Sequence, residues 1–368
     1  MGILRFILAI TVVIAHSGSI FGFRFVGGQI AVQAFYIISG FYMSLILNEK
    51  YVGINGSYKL FISNRLLRLF PIYWTVLFMT IAFSIAISLH TNGNNLGHFT
   101  IYAEYFNSMS FGSFFYLLFT NLFIIFQDIS MFLGFDRISG HFHFTSDFRK
   151  IAPGTYQFMF IQQAWTIAIE IYFYLIAPFI VRKKLNIIFI LIITSLLLRF
   201  ILSYSGYNYD PWSYRFFPTE LLFFLLGIIS YHIYVRIRVL EIKKYYLNTI
   251  FLSITGFTVF FDFLPIPYKY QIYLLLFFIC LPFIFILTKQ WKHDIYIGEL
   301  SYPIYISHLL VLTCINTFKK TMNSELGLSL TILTILFSIA LNELVAKKIE
   351  RIRQKRILHA SDTLLPKN

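Results

Sequence analysis

The stretch ILRFILAITVVIAHSGSI, Ile3 to Ile20, decides the fold. It is apolar almost throughout and close to the roughly 20 residues that an α-helix needs to cross about 30 Å of hydrocarbon. His16 stands inside it. An ionisable side chain is costly in a bilayer unless it has a partner or a task, so such residues are functional-site candidates by default. Similar stretches recur along the chain: Ile30 to Leu47, Pro71 to Leu89, Trp165 to Val181, Leu185 to Tyr204, Phe216 to Val235, Leu247 to Leu264, Tyr270 to Thr288, Ser301 to Phe318 and Leu326 to Ala346. With the first extended to Phe21, they predict an all-α polytopic membrane bundle of about ten transmembrane helices.

The composition agrees. Hydrophobic residues make up 58% of the chain, aromatics 20% and charged residues only 12%, with a mean hydropathy of +0.72. Soluble domains run nearer half apolar and about a quarter charged. A net charge of +14 raises the question of nucleic acid. The basic residues, however, fall in short clusters between apolar stretches rather than on an interleaved basic and aromatic face. Cys280 and Cys314 both lie in apolar stretches and provide neither a disulfide framework nor a metal set.

The basic clusters orient the spans through the positive-inside bias. Lys50, Lys59, Arg65 and Arg68 mark one inner loop; Arg182, Lys183 and Lys184 a second; Arg236, Arg238, Lys243 and Lys244 a third; Lys289 and Lys292 a fourth. The tail with Lys347, Lys348, Arg351, Arg353, Lys355 and Arg356 is then cytoplasmic too. Counting from both ends places Leu89 and Trp165 at the outer face, so the region between them crosses an even number of times. Phe114 to Phe135, interrupted by Asn121, Gln127 and Asp128, is accordingly expected to be a re-entrant or interfacial apolar segment; the alternative, a second crossing between Gly140 and Gln163, is disfavoured because that stretch is polar. Both termini are expected inside, with an integral membrane domain over residues 1–346 and a basic cytoplasmic tail over 347–368. A cleaved signal peptide is the alternative reading of the first stretch. It would discard His16.

Several side chains could carry chemistry. At about 1.5 Å of rise per residue, His16 lies roughly 16 Å beyond Arg5 along its helix, buried in the outer half of the bilayer. Histidine suits general-base work because its ordinary pKa is near neutrality; the bland reading is a ring bonded to Ser or Asn of a neighbouring helix. Glu170, one turn inside its span from the outer face, is at a similar depth and could orient the imidazole as the acid of a hydrolase triad does. A proton relay or an unrelated helix pair would use the same residues. Arg65 and Arg68 share one helical face just before the Pro71 span, and two guanidinium forks suit a polyphosphate such as that of coenzyme A. Positive-inside anchoring accounts for them equally.

His308 counts to the cytoplasmic half of its span, where a structural role is favoured over a catalytic one. Arg199 and Arg215 approach the outer face and could hold an anionic acceptor or merely snorkel, and Glu220 could pair with Arg215. His141-Phe-His143 beside Asp136 and Asp147 lacks a third ligand at convincing spacing, so no metal is expected.

Five stretches in this order resemble the acyltransferase 3 family of integral membrane acyltransferases. They are Leu4-Arg5-Phe6-Ile7-Leu8-Ala9 through His16; Phe35-Tyr36-Ile37-Ile38-Ser39-Gly40-Phe41; Arg65-Leu66-Leu67-Arg68-Leu69-Phe70-Pro71-Ile72-Tyr73-Trp74; Trp165-Thr166-Ile167-Ala168-Ile169-Glu170 with Phe173, Tyr174 and Pro178; and Gly298-Glu299-Leu300-Ser301-Tyr302-Pro303-Ile304-Tyr305-Ile306-Ser307-His308. Glu299 stands where relatives often carry a basic residue, and the insert from Phe135 to Gln163 is locally distinctive.

The resemblance implies transfer of an acyl group, commonly acetyl, from cytoplasmic acyl-CoA to a hydroxyl of a surface polysaccharide, such as lipopolysaccharide, or of its lipid-linked precursor. It implies a multi-pass protein of the cell inner (plasma) membrane with acetyl-CoA or another acyl-CoA as donor substrate and no permanently bound cofactor. The expected site is then His16, as general base or transient acyl carrier, and Glu170, orienting it, as catalytic residues, Arg65 and Arg68 on the coenzyme, and Arg215, Tyr302 and His308 as candidate substrate contacts. Its partners would be the bilayer, acyl-CoA and the glycan acceptor, without nucleic acid. Two other classes compete: a transporter or flippase for a lipid-linked saccharide, which would consume no acyl-CoA, and a structural envelope subunit, in which these polar residues only hold helices together.

Overall fold

In a computed structural model, which describes residues 1–318 and 326–362, the chain is a helical membrane protein. The helices are α1 (Gly2–Ser17), α2 (Gly28–Glu49), α3 (Tyr58–His90), α4 (Thr100–Tyr105), α5 (Phe111–Phe123), α6 (Trp165–Ile180), α7 (Leu185–Tyr204), α8 (Phe217–Ile237), α9 (Lys244–Phe260), α10 (Lys269–Thr288), α11 (Lys292–Glu299), α12 (Ser301–Phe318), α13 (Leu326–Leu341) and α14 (Lys347–Asp362). Strands β1 (Leu133–Phe135) and β2 (Phe142–Phe144) form an antiparallel hairpin with Leu133 opposite Phe144. Nine helical segments among the described residues are long and apolar enough to span a bilayer. The remaining expected span, α1, has 16 residues, about 24 Å of helix. Of the expected tail, residues 363–368 lie outside the described residues.

Two boundaries differ from the sequence reading. The span expected from Pro71 is the latter part of α3, which starts at Tyr58 and runs through the proline. Pro71 has no N–H to give the Leu67 carbonyl, a gap tolerated in membrane helices because neighbouring groups re-satisfy the freed backbone. The span expected from Ser301 begins a helix earlier, because α11 leads into α12 and the two read as one segment from Lys292 to Phe318. This second difference changes the depth of every residue in α12.

The chain divides into two compact units. The first comprises Met1–Arg68, Tyr174–Ser195 and Glu220–Asn368, and the second Leu69–Phe173 and Leu196–Thr219. In the first, α1 packs against α2, α11, α12 and α13. Leu4, Leu8, Ala9, Ile10, Val12, Val13 and Ile14 of α1 are all buried. A helix that is apolar and buried all round lies inside the protein rather than against lipid. Its partners in the core are Leu300, Ile304, Ile315 and Leu330. Helices α2 and α8 approach as closely as backbones allow: a Cβ built on Gly40 would lie 2.0 Å from the Phe224 carbonyl oxygen, and one on Gly227 2.1 Å from that of Ile37. Small residues at such crossings let helices gain packing that the hydrophobic effect does not provide in lipid.

The second unit explains the polar interruptions between Phe114 and Phe135. That stretch does not form one long helix. The 13-residue α5 ends at Phe123, about 20 Å long, and a 3-10 turn over Asp128–Phe132 leads into β1. Asn121 donates to the Leu117 and Phe158 carbonyls and accepts from the Phe160 amide at 2.9 Å. Gln127 donates to the Ile161 carbonyl, and Asp128 accepts from the Tyr172 hydroxyl at 2.7 Å. Tyr73 and Trp74 donate to the Asn121 and Leu122 carbonyls at 2.6 and 2.8 Å, satisfying acceptors that the end of α5 leaves open. Tyr105, Leu117, Phe135, Phe158 and Met159 form the core. In the hairpin loop the Ser139 hydroxyl and Ile138 amide bond Asp136 and hold its carboxyl below the usual range.

Candidate functional site

His16 sits two residues before Gly18, whose φ of 95° ends α1 in a conformation that side chains resist. The helix therefore stops just beyond His16 and leaves that residue exposed, together with Ala15. The short helix places His16 at an open end of the protein's own packing rather than inside the packed stripe.

His308 is the residue that the structure brings to it. The two rings lie 5.0 Å apart between centroids, tilted by 39°, and His308 is completely buried. The expectation that His308 belongs to the opposite half of the membrane is corrected. Met1 and Gly2 at the start of α1 bind Asp294 of α11 through nitrogen–oxygen contacts of 2.7 and 2.6 Å, so α1 and α11 begin at one level. His16 then lies about 21 Å up its helix and His308 about 24 Å up the α11–α12 segment. Counting from Ser301 omitted the length of α11.

The protonation of His308 follows from its partners. Its Nδ1 is 2.7 Å from the Tyr305 carbonyl oxygen, which can only accept, so Nδ1 carries the proton. In the neutral ring Nε2 is then an acceptor, buried and without a hydrogen-bond partner among the described residues. A tautomer fixed by a backbone carbonyl is how proteins aim one imidazole nitrogen. Tyr302, a turn and a half earlier on α12, is half-buried, and the neighbouring Ser301 accepts from Arg5 at 2.8 Å.

Arg65 and Arg68 are on α3. Arg65 is 5% exposed, and its Nε has no hydrogen-bond partner among the described residues. Beside it, Asn64 donates to the Tyr51 hydroxyl at 3.2 Å. Arg68 is half-buried and acts electrostatically on Glu299, as Arg5 does. The first unit thus carries a guanidinium pair near the level of Arg5 and an imidazole pair roughly 16 Å farther along α1.

The remaining expected residues fall differently. Glu170 is half-buried on α6 in the second unit, whereas His16 belongs to the first. Arg215 is held by Asp210 through Nε at 2.7 Å and Nη2 at 3.1 Å, and its guanidinium lies 4.3 Å over the Trp165 ring. Asp210 thus pairs with Arg215, and Glu220 accepts from Gln33 at 3.3 Å. Arg149 also bonds Asp210, at 2.7 Å. Arg199 donates to the Thr219 and Ser213 carbonyls at 2.9 and 3.4 Å. Sequence reasoning missed Asp294 and Asp210. Each is a lone acid whose cationic partner cannot be told from spacing.

A family model described as an acyltransferase domain matches residues 1–343. No curated protein and no solved structure matches the chain. A match over nearly the full length of a chain built from membrane-spanning helices makes this protein a member of the acyltransferase 3 family, a multi-pass membrane acyltransferase.

Proposed function

We propose that the protein is an O-acyltransferase, acetyl being the first donor to test, that moves an acyl group from cytoplasmic acyl-CoA to a hydroxyl of an extracytoplasmic polysaccharide or lipid-linked glycan. The protein would lie in the inner membrane with both termini in the cytoplasm. The observation that carries this reading is the exposed His16 against His308, whose acceptor nitrogen is fixed and unbonded among the described residues. Arg65 and Arg68 would hold the coenzyme phosphates. The pantetheine arm would bring the thioester along α1 towards His16, a separation of roughly 16 Å from the level of Arg5.

In the transfer, His16 takes the proton of the acceptor hydroxyl as its oxygen attacks the thioester carbonyl. The tetrahedral intermediate collapses with cleavage of the carbon–sulfur bond, and the departing thiolate receives the proton, giving ester and free coenzyme thiol. His308 acts as a positioning residue for the His16 ring. Glu170 enters on the family motif alone, as a carboxylate supporting the imidazolium, and Tyr302 and Arg215 enter as acceptor contacts.

Sealed proteoliposomes test this. Labelled acetyl-CoA supplied on the face bearing Arg65 should yield labelled acceptor on the other face and one free thiol per ester. Acceptor that crosses without release of thiol would replace the proposal with the flippase reading.

A further inference from the structure

The basic segment after α13 is not a free tail. A five-residue π-helical turn, Asn342–Ala346, joins α13 to α14, and α14 returns onto the segment around Tyr51 and Asn64. Lys50 donates to Gln354 at 2.9 Å. Arg353, 6% exposed, donates through Nε to the Asn64 carbonyl at 2.8 Å. Arg356 donates to the Asn64 side-chain oxygen at 2.9 Å and to the Ser63 hydroxyl at 2.8 Å. Arg353 and Arg356 repeat the three-residue spacing of Arg65 and Arg68, and Asn64 lies next to Arg65 in the chain.

The charges around this point do not balance. Arg65 and Arg68 both act on Arg353 as like charges. Among the described residues, Glu350, bonded to Arg353, and Glu299, which feels Arg68, Lys347 and Glu350, stand against the four guanidinium groups. Gathering like charges away from water is costly unless an anion offsets them. The bonds of Arg353 and Arg356 to Asn64 and Ser63 are to neutral acceptors and leave the excess in place. The buried Arg65 Nε, a donor without an acceptor among the described residues, is the second sign that an anionic group belongs here.

We infer that α14 completes a polyphosphate-binding site, with Arg353 and Arg356 joining Arg65 and Arg68 around one anionic ligand. Residues 347–362 would then be part of the donor site although the family match ends at 343. That the ligand is the coenzyme rests on the proposed function. The anionic headgroup of a membrane lipid has the same phosphate chemistry.

The test uses the full chain in nanodiscs of zwitterionic lipid, titrated calorimetrically with coenzyme A, and in matched nanodiscs containing phosphatidylglycerol. Arg356→Gln should weaken coenzyme binding at least about tenfold, the scale of one hydrogen bond between charged groups. Arg356→Lys should retain most of the affinity. Ser63→Ala removes a tether of the same side chain without removing charge and should bind as the parent does, which separates electrostatics from loss of docking. If Arg65→Gln loses binding and Arg356→Gln does not, the role of α14 is overturned and the donor reading stands. If coenzyme fails to bind the parent, but phosphatidylglycerol raises its melting temperature only when Arg356 is present, the α14 site stands for lipid and the donor reading falls. Indifference to both anions sinks both.

Discussion

Replacing Gly40 by Ala tests the packing that holds α2 against α8. The new Cβ would lie 2.0 Å from the Phe224 carbonyl oxygen, 2.8 Å from its carbonyl carbon and 3.0 Å from its Cα. All three are backbone atoms, so no flexible side chain can give way and the helices must separate by more than an ångström. Overpacking of this kind costs about 1–3 kcal/mol, and the rigid contact argues for the upper end. Alanine recovers about 1 kcal/mol of helix propensity over glycine. The net is a destabilisation of about 2 kcal/mol, roughly thirtyfold in the folding equilibrium. A Cβ on Gly256 of α9 would meet nothing within 4 Å among the described residues, so Gly256→Ala should be neutral or stabilise by up to about 1 kcal/mol. Denaturant titration of the purified protein in mixed micelles measures both. A Gly40→Ala protein as stable as the Gly256→Ala protein would refute the close crossing.

Three other outcomes are expected. Asp210→Ala should destabilise the protein by about 1.5–3 kcal/mol in thermal melts, because a half-buried arginine loses charged hydrogen bonds; a variant melting like the parent would show that Arg215 does not need the pair. His308→Phe, which keeps a ring against His16, should lower kcat about 100-fold or more with little change in KM. It should also alter the pH profile of kcat, which a packing defect alone would leave in place. Tyr73→Phe removes a buried donor to the α5 terminus and should cost about 1–2 kcal/mol; unchanged stability would mean that the Asn121 carbonyl finds another donor.

The helices were legible in the sequence because membrane spans announce themselves by length and hydropathy, and ten apolar stretches map onto helices of the structure. Parity predicts that Phe114 to Phe135 does not span; the structure divides it into the end of a 13-residue helix, a 3-10 turn and a strand, and Asn121, Gln127 and Asp128 mark where its backbone turns and binds elsewhere. Depth was less legible. Hydropathy detects the apolar part of a helix and not its true start, so the polar run from Lys292 to Ser301 gives no span signal and His308 counts to the wrong level. Exposure of His16 depends on the helix ending at Gly18 and on what packs beside it, which residue spacing does not encode. The docking of α14 was hidden for a similar reason: a basic segment after a last span satisfies the positive-inside bias whether it is free or bound, and only the contacts of Arg353 and Arg356 with Asn64 and Ser63 distinguish the two.

The most direct test of the central claim is mass spectrometry of surface glycans from cells carrying the parent chain, the His16→Ala chain at equal membrane abundance, or neither. Acyl transfer through His16 predicts one fixed mass increment on the glycan with the parent and its loss in the other two. An increment that persists with His16→Ala, or that never depends on the chain, contradicts it.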